Sequence, residues 1–292
     1  AAIETADLVK MTTAQVAALV TSQMAGLTTD QVASLTTEQV QAIEIADLKQ
    51  LSSAQIMALT TAQIPVLTTE QVVALTTDQI KVIETADIQR LTTAQVASLT
   101  NTQVPALTSA QILALQSDQI AAMGPVNITK LTGDRMTLLS ASQVAALTTS
   151  QIQGLTNAEI TKMSTAQVQE LTTAQMPAFT QSQIALFSSA QIAAMETQDV
   201  ASLTTAQMGW LTAQQMPHFT SAQIAALTTA QVAAIEVGDL TKLTTSQIQK
   251  LGTGQISALT TAQMVSLTDV QLAAIETADL ANLSTAQIAS IT

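Results

Sequence analysis

Leu91-Thr92-Thr93-Ala94-Gln95-Val96-Ala97-Ser98-Leu99-Thr100-Asn101-Thr102-Gln103 states an eight-residue pattern once and begins it again. Extended in both directions, the same frame runs from Glu4 to Ile291 without insertion or deletion and makes 36 octads. The consensus is Thr-Thr-Ala-Gln-Val/Ile-Ala-Ala-Leu, clearest at Thr12 to Leu19 and Thr228 to Ile235. Position five is Val, Ile, Leu or Met in all 36 octads, and position eight is Leu, Ile, Met or Phe in all 36. Position four is Gln in 27 and Asp, Asn, Glu or Arg in the other nine. Position three accepts Asp30, Glu38, Glu70 and Asp78, which predicts that it faces water.

The spacing of the apolar positions decides what an octad becomes. An α-helix turns about 100° per residue, so eight residues overshoot two turns by about 80° and a continuous helix would wind its apolar stripe away from any single core. A strand would send positions five and eight to opposite faces. What remains is one short helical turn per octad, followed by a bend. Thr at position one and Gln at position four form a capping box, and the preceding Leu with the following Val or Ile forms a hydrophobic staple, as Leu91 and Val96 would around Thr92 and Gln95. A cap contributes about 1 kcal/mol and helix nucleation is costly, so such turns must be held by their neighbours, as in a solenoid. The fold class expected is an all-α repeat solenoid over residues 1–292, with a β-solenoid as the alternative.

Pro65, Pro105, Pro177 and Pro217 occupy position six, where proline removes an intrahelical bond. Those octads are expected to be 3₁₀ turns followed by an extended corner. Glu4, Glu44, Glu84, Glu196, Glu236 and Glu276 occupy position one, where a glutamate is a poor cap, and Thr5, Thr85 or Thr277 is expected to cap one residue later. These acidic octads recur every fifth octad on either side of a degenerate stretch at 124–139, and each proline octad begins two octads after an acidic-type one. Five octads per coil would stack the acids in one column and the prolines in another. Lys10, Arg90, Lys130, Lys162 and Lys242 at position seven would then pair with carboxylates at positions one and four, within and between coils, and set the register. A solvated charged edge is the plainer alternative.

Composition narrows the chemistry. The 292 residues are 47% hydrophobic and 10% charged, against roughly 25% charged in an ordinary domain. One Trp, three Phe and no Tyr leave an aliphatic core, and the absence of Cys excludes disulfides and thiolate chemistry. A net charge of −12 argues against nucleic acid and anionic membrane surfaces. No run of roughly 18 apolar residues is present to span a bilayer. The single histidine, His218, leaves no evident general base, and the Thr and Ser residues are accounted for by capping. His218 and Trp210, both at position seven of adjacent octads, could make a small patch with Pro217 and Phe219. Glu-x-x-Asp pairs beside a lysine would make a poor Ca²⁺ site. Met176, Met195, Met208, Met216 and Met264 fall on core positions as filler. No catalytic, cofactor-binding or metal residue is assigned, no cofactor is expected, and the chain is not expected to be an enzyme.

The Leu91-to-Gln103 wording resembles the tandem Thr/Gln repeats of very large bacterial surface and secreted proteins of adhesin-like type. The resemblance covers essentially the whole chain and implies an extracellular or cell-surface setting in bacteria, without functional residues to carry over. The expected function is structural: a stalk, fibre or matrix filament, with end-to-end self-association because both ends lie in frame without a polar cap. The alternative is an adhesin-type binding module for glycan, a cell surface or ice.

Overall fold

The computed structural model describes residues 3–131 and 133–291, with the backbone alone at 133 and 134. Across these residues the chain is helical, with no strand, and it is an all-α repeat solenoid. The described residues form 31 α-helices and five 3₁₀ helices, one element for each of the 36 octads.

The octad Thr92–Leu99 shows why each turn starts and stops. Thr92 is extended (φ −69°, ψ 157°); its hydroxyl accepts the Gln95 N–H at 3.2 Å, and Gln95 Oε1 accepts the Thr92 N–H at 2.7 Å. The helix Thr93–Ser98 ends at Leu99, which returns to extended backbone (φ −54°, ψ 133°) while its N–H still bonds the Val96 carbonyl at 3.2 Å. Two consecutive extended residues, position eight and the next position one, make the corner. The capping box is therefore the start signal, and the next box, arriving one residue after the leucine, is the stop signal.

Positions five and eight lie three residues apart and so share one side of the turn. From Val32 to Leu267 every one of these side chains is 5% exposed or less. The five methionines named above are among them, and Phe179 and Phe187 meet edge to face with ring centroids 5.2 Å apart. Asp30, Glu38, Glu70 and Asp78 at position three are all exposed, as expected.

The chain divides into two compact units, Ala1–Ala146 and Leu147–Thr292. The same winding rule holds inside each. Helix Thr93–Ser98 packs on Ser117–Ala122, and Thr197–Ser202 packs on Ser221–Ala226, both three octads apart. The position-four side chains, however, reach 28 and 31 residues back, into the end of the fourth octad before their own. A helix thus sits over the junction between two earlier octads, and one coil takes more than three octads and fewer than four.

This corrects the expectation of five octads per coil. Markers repeating every fifth octad cannot stack in columns on such a coil. The acidic helix Thr85–Ile88 packs on Ser109–Ala114, and the acidic helix Thr197–Ser202 packs on the proline turn Met176–Ala178. Of the charge pairing expected within and between coils, one pair of position seven with position four is seen inside an octad, and a second local pair joins positions six and three. Lys10 meets Asp7 of its own octad at 3.4 Å, with both side chains mostly exposed, and Lys81 meets Asp78 at 3.2 Å. Such pairs contribute about 0–1 kcal/mol.

The glutamates at position one are themselves the N-cap residues. Glu84 is extended (φ −67°, ψ 153°), makes no side-chain cap bond, and Thr85 is already the first helical residue, so no threonine caps one position later. The proline octads behave as expected, with 3₁₀ turns at Ile64–Val66, Val104–Ala106, Met176–Ala178 and Met216–His218, each followed by an extended residue. Within 124–139, Thr132 lies outside the described residues. The stretch keeps the octad frame: helix Pro125–Ile128 and the 3₁₀ turn Gly133–Leu138 bury Ile128, Leu131, Met136 and Leu139 in the usual places.

Candidate functional site

The most densely used polar position in the chain is the fourth. Gln111 is typical. Its Oε1 accepts the Thr108 N–H at 2.8 Å, while its Nε2 donates to the carbonyls of Ile80 at 2.8 Å and Ile83 at 2.7 Å, one coil earlier. The same amide both starts its own helix and ties that helix to the preceding coil. Comparable bridges are made in unit one by Gln63, Gln71, Gln79, Gln95, Gln103 and Gln119, and in unit two by Gln191, Gln207, Gln223, Gln247 and Gln263. The amide matters more than the hydroxyl. At Val20 and Gly252, where position one has no hydroxyl, the Gln23 and Gln255 Oε1 atoms still accept the backbone N–H at 2.9 and 2.7 Å.

Sequence reasoning found the capping half of this residue and missed the cross-coil half. Signals were present: Gln persists in 27 octads, whereas capping alone would also tolerate Glu. A glutamate keeps the acceptor and loses the donor. Only a requirement for both selects an amide, which carries two donors and an acceptor.

Nine octads depart from Gln, seven of them with a carboxylate; Asp7 is exposed, and the environment of the other six is the opposite of the solvated edge considered above. Asp47, Asp87, Glu159, Asp199, Asp239 and Asp279 are all buried. Asp279 Oδ1 accepts the Thr253 hydroxyl at 2.6 Å. Asp87 Oδ1, Glu159 Oε1 and both carboxyl oxygens of Asp199 are buried without a hydrogen-bond partner. Burial, and secondarily the charge of Glu196, pushes Asp199 up to about 6. Burial and then Glu84 raise Asp87, and burial and then Glu236 raise Asp239. Burial raises Glu159 against the pull of the Thr156 N–H and hydroxyl. Two exposed carboxylates shift in the reverse sense. Glu38 is lowered by its own backbone N–H and then by the Thr36 and Thr37 hydroxyls, and Glu70 is lowered chiefly by its own N–H and the Thr68 hydroxyl.

Asn127 is the informative exception. It is one methylene shorter than Gln and as short as Asp, yet its Nδ2 reaches the Leu99 carbonyl, 28 residues back, at 2.7 Å. A short side chain at position four therefore spans the joint between coils.

The other sequence candidates do not converge on a site. His218 and Pro217 are exposed, Trp210 is half-buried and Phe219 is in the core, while the close ring contact is Phe179 with Phe187. Among the described residues no three of His, Asp and Glu gather as a metal-binding group, and no helix is long and apolar enough to cross a membrane. In unit one an open groove of about 450 Å³ is lined by Ile45, Lys49, Glu70 and Val73 with Thr69, Ala74 and Ser98, and both Ile45 and Val73 are exposed.

Comparison with known families returns one match. The sequence model of the ALTTAQ repeat family matches residues 1–37, 40–77, 80–117 and 232–269, together more than half of the chain. The first three matches begin about five octads apart, the spacing of the acidic octads. No curated protein sequence matches the chain.

Proposed function

We propose that this chain, which belongs to the ALTTAQ repeat family, is a structural repeat protein of a bacterial extracellular stalk, fibre or matrix filament. The observation that supports the reading is the uniform seam. Gln111 and Gln223, in different units, make the same two cross-coil bonds at the same 28- and 31-residue offsets, so the coils of each unit are joined by one repeated device. Nearest-neighbour bonding of this kind allows an array to be lengthened without redesign. Its side chains are spent on capping, core and seam, which suits a load-bearing spacer. Self-association through further Gln-to-carbonyl joints is the partner expected. Immunogold labelling of native cell-surface material with an antibody to this chain tests the proposal. Label along stalks or fibres is expected, and label confined to the cytosol, or to surface material without such structures, refutes it.

A second reading, a binding module for glycan or another cell surface, is favoured by the Ile45–Val73 groove, whose lining includes Lys49 and Glu70. A glycan array separates the two, since the structural reading expects no saturable ligand and the binding reading expects one that Val73→Glu abolishes.

A further inference from the structure

The seam has a fixed electrical logic. The carbonyl 28 residues behind position four receives a donor from that side chain at Gln95, Gln111 and Gln223, and from Asn127 as well. An ionised carboxylate at the same place would set acceptor against acceptor inside a buried joint. For Asp199 the carbonyl in question belongs to Leu171, and for Asp87 to Leu59. The two aspartates have, respectively, two buried oxygens and one buried oxygen without a partner. Asn127 shows that a side chain of this length makes the span.

We infer that Asp199 and Asp87 act as protonated carboxylic acids, donating in place of the glutamine amide to the carbonyls of Leu171 and Leu59, so that these two joints tighten when the medium turns mildly acidic. One proton is taken up per joint, and the carboxyl O–H supplies the hydrogen that the amide N–H supplies elsewhere.

Among the described residues, no ion pair neutralises either group. The helix Thr197–Ser202 packs on Ser221–Ala226 and Met176–Ala178, and neither carries a titratable side chain. The charged neighbour of Asp199 is Glu196 of its own octad, which disfavours ionisation further, and Glu170 beside Leu171 is exposed and of the same sign. The helix Thr85–Ile88 packs on Ser109–Ala114, again without a titratable group; Glu84 is the charge that raises Asp87, and Arg90 of the same octad is exposed and forms no ion pair with it. Asp279 differs in that the Thr253 hydroxyl already serves one of its oxygens.

The sign follows from linkage. A carboxyl whose folded value lies above its unfolded value destabilises the fold while ionised, and that cost disappears as pH falls through the folded value toward the unfolded one. For Asp199 the window runs from about 6 down to 3.8. A displacement of that size corresponds to about a hundredfold in the unfolding equilibrium.

The test is urea unfolding of the full chain at pH 5 and pH 8, for the native sequence, Asp199→Asn, Asp87→Asn and the exposed control Asp30→Asn. The control accounts for general relief of the net negative charge. The native chain is expected to be more stable at pH 5. Asp199→Asn should remove about tenfold of the pH effect between pH 5 and pH 8 by gaining stability at pH 8, Asp87→Asn should act in the same direction, and the control should leave most of it. Buried Asn variants that keep the native pH dependence overturn the inference. Carboxyl-carbon NMR of the native chain gives an answer independent of whether any variant folds: titration of Asp199 near pH 6 supports it, and titration near pH 4 overturns it.

Discussion

Replacing Gln111 by Met keeps side-chain length and removes every polar contact of the seam at one joint. Three bonds are lost: one from the Thr108 N–H and two to the Ile80 and Ile83 carbonyls. They are not equivalent. The Ile80 carbonyl keeps a second donor, the Ile83 N–H at 3.3 Å, whereas Ile83 and the Thr108 N–H depend on the glutamine. Leaving a buried donor or acceptor unsatisfied costs about 1–3 kcal/mol each, and methionine returns part of that through apolar burial. The expected net loss is about 3 kcal/mol. Thr108→Ala removes only the hydroxyl that accepts the Gln111 N–H at 3.2 Å and should cost about 1 kcal/mol. The two variants share one octad and one helix, so their difference reports the cross-coil bonds together with the Thr108 N–H bond, and the loss in the earlier octad reports the cross-coil bonds alone. Because repeat arrays open locally, native-state hydrogen exchange is the suitable assay, read at the amides of octads 76–83 and 108–115. Gln111→Met should lower protection in both octads by about a hundredfold, and Thr108→Ala should lower it mainly in the second. Equal losses from the two, or a loss confined to octad 108–115, would refute the claim that the glutamine amide binds coil to coil.

Further outcomes follow from the same assignments. Leu99→Asp places an unpaired charge in the core and should cost several kcal/mol, while Ala94→Asp at an exposed position three should be nearly silent; thermal melts with comparable losses would contradict the burial pattern. Thr204→Ala removes the hydroxyl that accepts the Gln207 N–H at 3.1 Å and should cost about 1 kcal/mol in urea unfolding, whereas Thr205→Ala, one residue further on, should change little. Pro105→Ala should lower stability by about 0.5 kcal/mol, because the proline restricts the unfolded chain at a turn that already accepts it; a gain above about 1 kcal/mol would show that the 3₁₀ turn at Val104–Ala106 is strained.

The helical reading of the octad came from local chemistry, and local chemistry is where a sequence is most explicit. Thr92, Gln95, Val96 and Leu99 lie within a single octad, so capping, burial and termination could all be read from their spacing. The proline turns were legible for the same reason, since the missing N–H of Pro65 acts only within its own turn. Coil closure was not legible, because it depends on small angles at each corner summed over several octads, and no single residue records that sum. The five-octad recurrence of Glu4, Glu44 and Glu84 suggested a coil of that length, and the Gln95 bonds to Ile64 and Leu67 show a shorter one. Asp199 was misplaced for a related reason. A carboxylate at position four was expected to pair with a position-seven cation or to lie on a solvated edge, but position four is buried at Asp199 as it is at Gln191 and Gln207 on either side, a property set by the neighbouring coil.

The fixed reach of the position-four side chains has a genetic consequence. A joint is defined by counting back along the chain, so it is indifferent to how many octads came before. Where the five-octad rhythm loses one octad, between Gly124 and Thr156, the bonds do not register the loss. Gln143 still reaches Ile112 and Leu115, and Gln183 still reaches Ile152 and Leu155. A coding repeat of this kind can gain or shed one octad's worth of codons at a time through replication slippage and yield a folded product at each step. The longer rhythm then has no counterpart in the joints, and the length of the array can change without changing how each joint is made.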